Sequence, residues 1–135
     1  MSYLVHEPNI KLHINSKNIK NININTYNLS KKLILVMKFY YGIGLAAVQI
    51  GILKKIVSIN YLIYKKRKSI TLINTKIIKN SKEYIKIEEG CLSYKNNYNI
   101  NVYRHHYVKI YYLDLQNKKQ YLNIKKKNII FVYST

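Results

Sequence analysis

One thiol, two neighbouring carboxylates and one carboxamide are the side chains best suited to chemistry in this chain. The only cysteine, Cys91, sits in Ile-Glu-Glu-Gly-Cys-Leu-Ser, residues 87–93. The chain has five acidic residues, and two of them, Glu88 and Glu89, stand beside that cysteine. Gly90 just before it implies a sharp bend at a strand end, which projects the sulfur and turns the Leu92 amide into the same site. A thiolate there can act as a nucleophile if a base adjoins it. It can also bind zinc or iron if His, Cys or carboxylate partners converge. The bland reading is a buried apolar cysteine.

The second stretch is Gly-Ile-Gly-Leu-Ala-Ala-Val-Gln-Ile-Gly, residues 42–51, which holds three of the four glycines. Gly42, Gly44 and Ala47 fit the dinucleotide fingerprint G-x-G-x-x-G/A, but that device needs a strand before the glycines and a helix after them. Here the pattern reads helix first and strand second. One remaining reading is a tight helix-to-strand connection, with glycine supplying a positive φ just past the helix. Another is that the backbone of Gly42, Ile43 and Gly44 pairs with an extended peptide, while Gln49 offers a neutral amide N–H to a developing oxyanion.

The elements that must position these groups follow from periodicity. Residues 27–41 read as a helix, because Leu29, Leu33, Val36, Met37 and Tyr40 fall on one face; Thr26 or Asn28 could cap it. Residues 14–28 are rich in Asn and Ile and read as a loop with a short extended piece. Strands are expected at 55–60, 70–74 and 84–88, and a hairpin at 107–114 and 119–124 around residues 115–118. The run Lys-Lys-Arg-Lys at 65–68 reads as a solvated turn and is also the best local anion patch. His105 and His106 follow Arg104 on an extended segment, so at most one of them faces Cys91. His6 and His13 read as surface or loop residues. One helix followed by many strands indicates an α+β fold, and 135 residues make one domain, 1–135.

Composition sets the outer limits. No N-terminal run has the form of a signal peptide and no segment is apolar enough to span a membrane, so a cytoplasmic protein is expected. The net charge of +19 invites a nucleic-acid reading. However, the chain has 22 Lys, 17 Asn, 23 Ile and 15 Tyr against two Arg, the usage that a strong A+T bias produces. A surface built to read phosphate in two-point contact favours Arg. The charge is therefore attributed to a drifted genome, such as that of a reduced bacterial symbiont, with no specific nucleic-acid partner.

Taken together, Gly-Ile-Gly-Leu-Ala-Ala-Val-Gln and Glu-Glu-Gly-Cys-Leu-Ser resemble the two central motifs of the peptide deformylase family. The opening Leu-Val-His-Glu-Pro-Asn-Ile-Lys-Leu-His and the later Val-Lys-Ile-Tyr-Tyr-Leu-Asp extend the likeness over nearly the whole chain. The resemblance implies antiparallel strands around a helix. It also implies hydrolysis of the N-formyl group from the initiator methionine of formylated nascent peptides, with the ribosome as a further partner. It makes Cys91 the thiolate ligand of Fe²⁺, or of Zn²⁺ or Ni²⁺. Gln49 and the Leu92 amide would stabilise the oxyanion, and Ile43, Gly44 and Gly90, with Gly42, would pair with substrate backbone. Glu89 and Arg104 would form a charge-assisted pair bracing the cysteine loop.

The family's third motif, His-Glu-x-x-His, supplies two further metal ligands and the general base. Residues 1–135 do not contain it. The expectation is a chain cut short before its catalytic helix, with a frameshift near Lys125–Lys127, because one back-translation of residues 131–135 read one base out gives Leu-Tyr-Ile-Gln-His. Such a chain is expected to be catalytically impaired, and poorly folded alone: each lost buried apolar side chain is worth about 1.5–3 kcal/mol, against a stability of about 5–15 kcal/mol. The alternatives are a non-catalytic peptide-binding remnant and a basic ribosome- or RNA-associated protein.

Overall fold

A computed structural model describes residues 4–63, 66–90, 93 and 100–125 of the chain. Among the described residues there are one α-helix, α1 (Ile24–Phe39), and seven strands: β1 (Gly44–Ala46), β2 (Ile56–Ile63), β3 (Lys66–Asn80), β4 (Tyr84–Glu89), β5 (Ile100–His105), β6 (Tyr107–Leu113) and β7 (Lys119–Lys125). A five-stranded antiparallel sheet runs β1-β2-β3-β6-β7, and β4 pairs with β5 in a separate two-stranded sheet. The α+β expectation is met. Among the described residues no helix is long and apolar enough to cross a membrane.

The helix begins three residues earlier than periodicity indicates. Asn23, rather than Thr26 or Asn28, is the N-cap: its side-chain oxygen accepts from the amides of Asn25 (3.0 Å) and Thr26 (3.3 Å). Thr26 returns the contact, its hydroxyl accepting from the Asn23 amide at 3.4 Å, so two orphan donors are satisfied reciprocally. At the other end the Tyr41 amide donates to the Lys38 carbonyl and the Gly42 amide to the Met37 carbonyl, a Schellman closure. The left-handed residue of this closure is Tyr41, at φ 54°, so the expected positive φ falls one position before the first glycine.

Leu33, Val36 and Met37 of the expected face are buried, and Leu29 and Tyr40 pack beside them. They meet Leu45, Ile56 and Ile73 on one face of the sheet. Ser30 lets the helix approach closely, and its hydroxyl joins those of Thr71 and Ser58 in a buried trio. The opposite face of the sheet carries a second apolar cluster, including Val57, Ile59, Leu72, Val108, Ile110 and Ile124. β2 buries apolar side chains on both faces, which is why it reads as a near-continuous apolar run rather than a clean alternation.

β3 is far longer than the expected 70–74. Asn74, at φ 52°, sits at a bulge between Ile73 and Lys76 and absorbs the irregularity. Its carboxamide accepts from the Ile19 amide at 2.7 Å and donates to the Ile19 carbonyl at 2.8 Å, anchoring the Asn-rich segment. The short extended piece of that segment is Lys17, bridged to Lys54. Lys66–Lys68 are not a turn: they lie in β3 opposite Ile63, Leu62 and Tyr61, while Lys65 lies outside the described residues.

The β6–β7 hairpin falls where the sequence indicates. Asp114 organises its turn, one carboxylate oxygen accepting from the Gln116 and Lys118 amides, both at 2.9 Å, and the other from the Gln120 side chain at 3.0 Å. The Lys118 amide is the largest cause holding the Asp114 pKa below the ordinary carboxylate value; partial desolvation opposes it, and the Gln120 and Gln116 bonds and the Lys118 charge add to it. A lowered folded-state pKa contributes stability that is present above the unfolded carboxylate pKa and is lost as pH falls through the folded one. Asp114→Asn is therefore expected to lower the urea midpoint near neutrality, and the gap to the parent chain should close below about pH 4. Asn23→Ala should cost about 1 kcal/mol in the same assay at any pH between about 5 and 8, because a neutral cap is removed.

Candidate active site

Three chain segments converge where the glycine and cysteine stretches meet. Ala47–Ile50 forms one turn of 3-10 helix directly after β1, and Gln49 faces inward, 7% exposed. Its side-chain oxygen accepts from the Ala46 amide at 2.9 Å. Only the carbonyl end of a carboxamide can accept from an N–H, so this bond fixes which way the group points. Its nitrogen then donates to the hydroxyl of Ser93 at 3.2 Å, and Ser93 is buried. The N-terminal segment closes the junction: the Val5 amide donates to the Gln49 carbonyl (2.7 Å) and the Glu7 amide to the Ser93 carbonyl (3.0 Å).

Ser93 is two residues beyond Cys91, so the carboxamide and the cysteine stretch lie on the same side of the molecule. Cys91 and Leu92 themselves lie outside the described residues. Sequence reasoning singles out Gln49 and Cys91 but passes over Ser93, although it stands inside the cysteine motif. The one signal for it is a small hydroxyl in the same motif as the thiol, close enough to partner a buried carboxamide.

The glycine stretch occupies a sheet edge. Among the described residues β1 pairs only with β2, with Gly44 opposite Ile59 and Leu45 opposite Ser58. The Asn60 amide donates to the Ile43 carbonyl at 2.8 Å. In antiparallel pairing this makes 43/60 and 45/58 the hydrogen-bonded pairs, so the N–H and C=O of Gly44 point away from β2. The next outward N–H, that of Ala46, is the one taken by Gln49. Gly42 and Ile43 are half-buried and Gly44 is buried.

β4 ends at Glu89, and Gly90 follows it, exposed. In the β4–β5 ladder Glu89 lies opposite Ile100 and Arg104 opposite Ile85. Along the ladder the two positions therefore stand four residues apart, about 13 Å. His105 lies at the far end of that ladder, opposite Tyr84. Its ring stacks on Tyr84 at 4.4 Å, and its Nδ1 is 2.7 Å from the Ser81 carbonyl, so it serves the end of the sheet away from the cysteine. His13 pairs with Glu7 at 3.0 Å. His6 is more enclosed than a surface residue, its Nδ1 being buried with no hydrogen-bond partner among the described residues.

Among the described residues no three His, Cys, Asp or Glu side chains gather as a metal site would require. The donor set that can be seen does not by itself fit a metal. What the junction supplies is a buried, oriented carboxamide, a sheet edge with one outward-facing glycine, and the strand end that leads to the thiol.

Ser93→Ala removes the acceptor of a buried N–H and is expected to cost about 1–3 kcal/mol in urea unfolding. Ser93→Thr should retain most of that. A double-mutant cycle of Gln49→Ala with Ser93→Ala should be clearly non-additive, since both changes break the same hydrogen bond.

The chain matches the polypeptide deformylase family over residues 1–130. It is 35% identical to the peptide deformylase of Buchnera aphidicola subsp. Acyrthosiphon pisum (strain Tuc7) over 129 residues, covering 96% of this chain and 72% of that protein. It is 32% identical to the peptide deformylase of Rickettsia akari (strain Hartford) over 125 residues, covering 88% of this chain and 71% of that protein. The fold superposes on the crystal structure of peptide deformylase from Ehrlichia chaffeensis with a TM-score of 0.85, at 26% identity, over 91% of this chain and 74% of the other. It superposes on Arabidopsis thaliana peptide deformylase 1B in complex with an inhibitor with a TM-score of 0.84, at 29% identity, over 93% and 69%. With sequence likeness running almost end to end and both central stretches brought to one junction, the chain belongs to the polypeptide deformylase family.

Proposed function

We propose that this chain binds the formylated N-terminus of nascent peptides at the junction of Gln49 and the cysteine stretch. The activity of the site, in this reading, is that of a peptide deformylase: hydrolysis of the N-formyl group from formylmethionine, giving formate and a free amine, in the bacterial cytoplasm beside the ribosome. The observation that carries the proposal is the hydrogen bond from Gln49 to Ser93, which ties the carboxamide to the stretch that holds Cys91.

The roles follow from the groups at the junction. The outward backbone of Gly44, flanked by Gly42, Ile43 and Gly90, pairs with the peptide main chain, so binding tolerates many side chains. Gln49 and the Leu92 amide donate toward the formyl oxygen as charge develops there. Glu89, at the end of β4, and Arg104, four positions along the same ladder on β5, support the strand that leads to the thiol. Cys91 is the ligand this reading assigns to the metal on which the family depends, Fe²⁺ or its substitutes Zn²⁺ and Ni²⁺. Residues 1–135 contain no His-Glu-x-x-His, so alone they orient substrate and hydrolyse it poorly. The β1 edge also favours a second reading, in which binding is retained without chemistry.

The test pairs binding with turnover, using formyl-Met-Ala-Ser and Met-Ala-Ser. The formylated peptide should bind at least about tenfold more tightly, and formate release by residues 1–135 should fall well below the usual enzymatic range of about 1–10³ s⁻¹. Equal affinity for the two peptides would refute formyl recognition. Turnover within that range would refute the impairment, and tight binding with no formate at all would favour the second reading.

A further inference from the structure

The face of the large sheet that α1 packs against is only partly covered. The helix lies against β1 and β2. The β6–β7 end of the same face has no helix over it among the described residues. Register places its side chains in rows: Tyr107 beside Lys125, Lys109 between Asn123 and Lys79, and Tyr111 between Tyr121 and Lys76. Lys76, Lys79 and Lys125 are exposed, and Tyr121 is 60% exposed. All five acidic residues of the chain lie outside β3, β6 and β7. Genome-wide A+T bias accounts for how many lysines and tyrosines the chain has, but not for the register that sets Lys76, Lys79, Lys109 and Lys125 around the open Tyr121 ring.

The rings and cations there are already arranged against one another. Tyr111 and Tyr121 meet edge to face at 5.7 Å, and the Lys109 ammonium lies 5.5 Å from the centre of the Tyr121 ring. The Tyr107 hydroxyl donates to Asn123 at 2.8 Å, holding that ring at the margin. Strands about 4.8 Å apart, with same-face residues about 6.7 Å apart along each, repeat on the scale of successive nucleotides. A ring that a base can stack on, set among cations that follow a phosphate chain, is the minimal platform for single-stranded nucleic acid. A polyanion of carboxylates alone would satisfy the lysines but give the exposed Tyr121 ring nothing to stack on.

We propose that the β3–β6–β7 face binds single-stranded RNA without sequence preference. Lysine suits this role, because a compact cation follows phosphates without the two-point geometry that arginine brings to base and phosphate reading. The proposal stands independently of the deformylase reading, since it uses no residue of that site.

The probe is a fluorescein-labelled oligouridylate of about 12 nucleotides, with anisotropy measured against the full chain from about 50 to 300 mM salt, beside a polyglutamate of equal charge. The RNA should bind more tightly than polyglutamate. Tyr121→Ala should weaken RNA binding about tenfold with the salt slope unchanged, and Tyr121→Phe should restore it. The double variant Lys76→Gln/Lys79→Gln should reduce the slope by about 1.4, at about 0.7 for each phosphate no longer neutralised. Circular dichroism matched to the parent confirms that these exposed-site variants fold. A 4-thiouridine oligonucleotide should crosslink to peptides from β6 and β7. Equal binding of RNA and polyglutamate, no effect of Tyr121→Ala, or crosslinks confined to Tyr27 and Tyr41 of the helix end of the molecule would each overturn the proposal.

Discussion

A single buried carboxamide fastens the site together. Gln49 accepts from the backbone at one end and donates to a hydroxyl at the other, and these two partners belong to stretches more than forty positions apart in sequence. Neither stretch can move alone without stranding a polar group in a place water does not reach, which is unfavourable. The N-terminal segment adds two main-chain bonds to the same junction, from Val5 and Glu7, so the assembly has three sides. Three sides of contact hold Gln49 toward the cysteine stretch.

The support for this junction comes from the sheet behind it. β1 is only three residues long, and it holds its place because β2 pairs with it on one side while Leu45 and Ala46 sink into opposite cores. The Schellman closure at Tyr41 and Gly42 delivers the chain from α1 into that strand at a defined angle. The separate β4–β5 ladder then brings Glu89 and Gly90 to the other flank. The fold thus uses two independent sheets to present two short stretches to each other.

Much of this is legible in the sequence, and the differences have identifiable physical causes. The helical face of Leu33, Val36 and Met37 and the hairpin around residues 115–118 are set by local periodicity and turn chemistry, and they stand where expected. The helix starts early because Asn23 is followed by another cap-competent residue, Thr26, which serves as the reciprocal partner rather than as the cap. A positive φ points to glycine in sequence, yet Tyr41 takes it, because the helix end needs it one position earlier and the local Schellman bonds hold it there. Lys66–Lys68 resemble a solvated turn, but charge says little about pairing when the partner strand, residues 61–63, is apolar. Asn74 hides the length of β3, since a left-handed asparagine at a bulge resembles a strand terminus in sequence. Ser93 escapes notice because a serine carries little signal until its partner in space is known.

The Ala46 amide, already occupied by Gln49, has one more consequence. Along the outer rim of β1 the next main-chain donor past Gly44 is already engaged, so an extended segment added to that rim runs out of partners at a fixed place. On the proposed reading such a rim would seat only a short stretch of a guest's main chain. A limit on how much of a guest is held can therefore arise from backbone geometry alone, without a pocket that reads the side chains beyond.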